Sequence, residues 1–111
     1  MTLYSVQDVK SMLGETGTTN DGKILTYGTM ADNFILADTI KVRGLPNPPS
    51  TTGNIITPAE LNEIKRHASL LTVAYFYKFE SGDDQTAVKA EADWQRFFSG
   101  KFRRPRFSAA T

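Results

Sequence analysis

Val6, Val9, Met12 and Leu13 recur at helical spacing, and the pattern predicts a first helix. Ser5 stands where its hydroxyl can cap the N–H of Asp8, and Gly14 offers a C-terminal stop. The polar stretch GETGTTNDG (14–22) has no period and reads as a loop. A second helix begins at Asn20 or Asp21. Ile24, Tyr27, Ala31, Phe34, Ile35 and Val42 trace one face of it, and Lys23, Asp32, Asn33 and Lys41 fall on the other. Gly28 weakens that helix by roughly 1 kcal/mol relative to alanine, unless it marks the close approach of another helix. Gly44 ends the run.

LPNPPSTTGN (45–54) packs three prolines into four residues, which excludes helix and favours extended geometry. An arm crossing the surface is expected from Gly44 to Asn54. The next start signal is the clearest in the chain. In TPAE (57–60), Thr57 is the N-cap, Pro58 takes the first helical position and Glu60 completes a capping box. Leu61, Ile64, Ala68, Leu71 and Tyr75 then form a stripe, widened by Leu70, Val73, Ala74 and Phe76. A helix apolar on so much of its circumference belongs at the centre. After the break ESGDD (80–84), Asp83 and Asp84 suit the positive end of a fourth helix dipole. Ala87, Val88, Glu91, Trp94, Phe97 and Phe98 continue it to Gly100. Sustained alternation is absent, so the fold class is all-α. The expected architecture is a bundle of about four helices (1–100) with a proline-rich crossing arm and an extended basic tail (101–111).

Composition changes this picture little, but charge changes it more. A chain of 111 residues without cysteine has no disulfides or thiolate sites. No signal peptide is visible and no apolar run is long enough to span a bilayer, so a soluble protein made in the cytoplasm is expected, without membrane contact. Residues 1–100 carry nine Lys/Arg against twelve Asp/Glu, whereas 101–111 carry four basic groups and no acid. Body and tail have opposite signs.

Catalytic chemistry finds little footing. His67 is the sole histidine, and Ser69, two residues along the same helix, does not face it. FESGDDQT (79–86) lacks the ligand spacing of a calcium loop, and Gly22–Ile24 lacks the Gly-Lys-Ser/Thr ending of a phosphate loop. No enzyme, cofactor or metal is expected. The run YFYKF (75–79) could be a base-stacking platform, but on a helix its rings diverge, and Tyr75, Phe76 and Phe79 suit a core better. The tail KFRRPRF is the strongest candidate. Pro105 blocks helix there, and no period assigns the phenylalanines to a core. Lys101, Phe102, Arg103, Arg104, Arg106 and Phe107 form the candidate interface, as a protein-docking arm or as a nucleic-acid arm with arginines on phosphates and rings on bases.

The order of parts resembles the small head–tail connector (adaptor) proteins of tailed bacteriophages and related viruses. The resemblance rests on YSVQDVKSML (4–13), DGKILTYGTMADNFILADTI (21–40), the proline-rich crossing, and TPAELNEIKRHASLLTVAYFYKF (57–79). Within these, Asp8-Val9-Lys10 with Leu13 matches the family's opening helix, and Ile64 to Tyr75 matches its central one. The resemblance implies a non-enzymatic structural protein of the virion. Its copies, commonly about twelve, would form a homo-oligomeric ring on the portal protein, above a tail or stopper protein, and extend the genome channel, where DNA could be touched. The alternative is a small helical nucleic-acid-binding protein that uses the basic aromatic tail.

Overall fold

The computed structural model describes residues 2–103. It is all-α: α1 (Val6–Leu13), α2 (Asp21–Thr39), α3 (Pro58–Ser81) and α4 (Asp84–Phe98), with a short 3₁₀ turn at Thr52–Asn54 and a π turn at Ser99–Arg103. The capping chemistry explains the starts. Ser5 Oγ accepts from Asp8 N–H at 3.2 Å. Thr57 and Glu60 exchange reciprocal bonds at the head of α3, 3.1 and 2.9 Å long. Asp83 accepts from the N–H and hydroxyl of Thr86 at the head of α4. Each such cap contributes about 1 kcal/mol. Gly14 and Gly82 close α1 and α3 in the left-handed conformation.

α3 is the central helix and packs against α1, α2 and α4. Against α2 it sets one four-residue row across another. Lys23, Tyr27, Ala31, Ile35 and Thr39 form the first, and Ile64, Ala68, Thr72, Phe76 and Glu80 the second. Lys23 and Tyr27 both meet Glu80, and the Tyr27 ring meets Phe76 edge-on at 5.8 Å. The row centres, Ala31, Ile35, Ala68 and Thr72, are wholly buried. α4 closes the other flank of α3: Trp94 is wholly buried and donates to Asp38 of α2 at 2.8 Å, and Tyr75 donates to Glu91 at 2.8 Å. The described body measures 51 × 27 × 19 Å.

Several sequence expectations need correction. α2 ends at Thr39, not Gly44, because successive i→i+3 bonds from Lys41, Val42 and Leu45 tighten the chain out of the helix. Asp32 is buried rather than on a solvated face. Its carboxylate accepts the N–H groups of Leu3 and Tyr4 at 3.0 and 3.2 Å, two donors that no helix satisfies. Gly28 admits the Tyr4 ring rather than another helix, and a Cβ there would overlap that ring. Val88 is 63% exposed and Phe79 50% exposed, so neither belongs to the core. Gly100 does not stop the chain's packing either, since the π turn carries it on to Phe102.

In the crossing arm, Leu45, Pro49 and Ile56 are buried, while Ile55 and the 3₁₀ turn stay exposed. Ile55 covers Gly44, whose φ of 83° lies in the left-handed region.

Candidate interaction surface

The structure divides the six predicted interface residues. Phe102 is 4% exposed and packs against Phe98, the rings tilted with centroids 5.2 Å apart, and Phe98 in turn lies 5.6 Å from Trp94. It completes the core at the end of α4 and is unavailable to a partner. The sequence reasoning missed this because a π turn has no 3.6-residue period to carry forward. Lys101 reaches back to Glu60 at 3.1 Å. The capping-box N–H of Thr57 and the Lys101 ammonium together hold the Glu60 carboxyl below its ordinary range. Arg103 is the last residue of the turn. Arg104, Arg106 and Phe107 lie outside the described residues. The described part of the basic segment, Lys101 to Arg103, therefore belongs to the π turn that follows α4.

Among the described residues, no group of three His, Cys, Asp or Glu side chains is placed to hold a metal. His67 packs against Phe97 and Trp94, at 5.0 and 5.7 Å, and burial together with Arg66 lowers its pKa. Ser69 is buried with its Oγ accepting the Ser5 N–H at 3.0 Å, so it serves the chain's start rather than a nucleophile. Tyr75 is held protonated well above its usual range by burial and by its bond to Glu91. Each of these three side chains makes a contact between separate elements of the fold.

No family model, curated protein or solved structure matches the chain. Among the described residues, no helix is long and apolar enough to cross a membrane.

Two surfaces stand out. The first is a groove of about 440 Å³ between α1 and α3, with Leu3 and Met12 along it and Lys65 and Arg66 at its edge. The second surrounds the two-residue reversal Gly82–Asp83 between α3 and α4. Phe79 stacks on Tyr27 there with ring centroids 5.6 Å apart, and Lys78 sits 5.3 Å from the Phe79 centroid. Glu80 accepts from Lys23 at 2.8 Å and Tyr27 at 2.5 Å, which lowers the pKa of its carboxyl. From Lys78 to Asp93 the chain has five carboxylates and two lysines. At the reversal itself Glu80, Asp83 and Asp84 stand beside Lys78 and Lys23, the latter paired with Glu80. The reversal's exposed rings carried no sequence signal beyond the aromatic run, which suits a core equally well.

Proposed function

We propose that this chain is a structural adaptor that assembles as a ring at a viral head–tail junction, docking on the portal and extending the genome channel. The observation that carries the reading is the order of parts. A short capped helix, a polar loop, a long helix, a crossing arm and a second long helix succeed one another, and the stretch Ile64–Tyr75 lies on the central helix. The elongated body supports it, as do exposed apolar residues on separate elements: Leu25 on α2, Ile40 and Ile55 flanking the arm, Phe79 on α3 and Val88 on α4. A subunit with neighbours on two sides needs more than one such surface. The nucleic-acid reading is weakened by the burial of Phe102 and the pairing of Lys101, which take a stacking ring and a cation from the arm.

The test is quantitative mass spectrometry of density-purified virus particles from the source, referenced to the major capsid protein. A fixed low count of about a dozen chains per particle is expected for a closed ring. Absence from particles, with presence in infected cells, overturns the reading.

A further inference from the structure

The chain's one histidine and its one tryptophan are in contact. His67, half-buried on α3, has its ring centroid 5.7 Å from that of Trp94 and 5.0 Å from that of Phe97, both on α4. The ring contacts continue from there. Trp94 lies 5.6 Å from Phe98, and Phe98 lies 5.2 Å from Phe102 in the π turn. Trp94, Phe98 and Phe102 are all buried. Side-chain contact thus joins one titratable ring to the turn at the end of the described residues.

A neutral imidazole packs on rings, whereas an imidazolium needs water that this seat half excludes. The charged groups around it are mixed. Arg66, next to it on α3, repels a second positive charge, while Asp93 on α4 and Glu63 on α3 attract one. Asp93 is already engaged by Arg96 at 3.1 Å, and Glu63 is exposed, where water screens its pull. Asp38 of α2 is taken up by the N–H of Trp94 at 2.8 Å and by Gln95. Burial and Arg66 prevail, and the His67 pKa falls below its ordinary 6.5.

We propose that protonation of His67 loosens the ring row Trp94–Phe98–Phe102 and unseats the π turn, making the end of α4 an acid-sensitive element of the fold. The inference concerns the single chain and goes beyond the ring reading. A histidine whose folded pKa is lowered takes up its proton more readily when unfolded. Its contribution is therefore full above 6.5 and is lost as pH falls through the lowered value. Asp32, raised from 3.8, acts in the opposite sense at Leu3 and Tyr4, so a readout resolved by residue separates the two. The output is chemical as well as mechanical. An unseated turn exposes Phe102 and frees Lys101 from Glu60, adding a ring and a cation to the basic sequence that follows.

NMR of the full chain without a histidine tag supplies both readouts. The single set of imidazole signals gives the His67 midpoint, and amide exchange reads the turn residue by residue. A midpoint below 6.5 is expected. Exchange is corrected for its intrinsic pH dependence. From about pH 7.5 to about pH 5, protection at Ser99–Arg103 should then fall about threefold or more relative to Ala68 and Leu71 of α3. His67→Phe keeps a ring against Phe97 and Trp94 without a proton to gain, and should abolish that fall. His67→Gln serves the same purpose where the larger ring is not accommodated.

A midpoint at or above 6.5 means that the rings and carboxylates hold the imidazolium, and overturns the proposal. So does a fall that persists in both variants, or a turn whose protection stays constant while His67 titrates. The presence or absence of the chain in virus particles bears on none of these outcomes.

Discussion

Leu3 and Tyr4 are tied to the helical body by backbone N–H groups that a buried carboxylate accepts, with the Tyr4 ring seated over Gly28. At the other end, Phe102 is tied by ring contact with Phe98, and Lys101 by one ion pair on the surface. Neither segment is helical in the ordinary sense, yet both complete the core. The first depends on a polar group that tolerates no loss of partner, because buried donors without acceptors cost more than their bonds contribute. The second depends chiefly on apolar area, whose contribution is graded. Ends that look alike on a burial plot should therefore fail under different conditions.

Removing the apolar tie should have the largest effect. Phe102→Ala empties a buried aromatic site and should cost about 3 kcal/mol in chemical denaturation. A loss under about 1 kcal/mol would mean that the π turn is not part of the core. Asp32→Ala leaves the N–H groups of Leu3 and Tyr4 without their acceptor and should cost about 2–3 kcal/mol. Asp32→Asn keeps one acceptor and should recover part of that, and equal losses from both would show the charge itself to be the tie. Gly28→Ala gains about 1 kcal/mol in helix propensity but displaces the Tyr4 ring. A net loss of about 1–2 kcal/mol is expected, and Tyr4→Ala in the same background should convert it to a gain.

Acidification should separate the ends by sign. Burial raises the pKa of Asp32 above its ordinary 3.8, against the opposing pull of its two N–H donors. Its contribution is therefore full below 3.8 and is lost as pH rises through the raised value. Glu60 is shifted the other way, by Thr57 and then Lys101. Its contribution is present above the ordinary 4.5 and is lost as pH falls through the lowered value. Between neutral pH and about 3, amide exchange protection should fall around Thr57–Glu60 more than at Leu3 and Tyr4. The reverse order would refute the comparison. The smallest effect belongs to Lys101→Ala. That exposed pair should contribute no more than about 0.5 kcal/mol, and less in high salt.

Much of the body was legible where the signal is local. Ser5, Thr57 with Glu60, and Gly14 act within four residues of their targets, so the starts of α1 and α3 and the stop of α1 can be read from the sequence, whereas α3 runs to Ser81, inside the break expected at 80–84. The stripe through Ile64, Ala68 and Leu71 is a property of one helix and was equally plain. What escaped depends on partners far along the chain. Asp32 sits on its helix as a solvated residue would, and only the donors 28 and 29 positions away assign it to the interior. Phe102 follows a glycine that usually ends a helix, and nothing short of the Phe98 ring beside it reveals its burial. Among the predicted interface residues, the charge of the segment is plain in the sequence, whereas the packing of Phe102 into the core is not.

The seat of Tyr4 on Gly28 has a consequence for descent as well as for folding. A helix with a notch cut to the outline of one ring encodes half of a contact whose other half lies 24 positions earlier. Neither half has value alone: a side chain at 28 evicts the ring, and a small residue at 4 leaves a bare glycine that weakens the helix for nothing. The two positions are bound to be inherited as a unit, and any relative of this chain that has filled the notch should also have given up the ring.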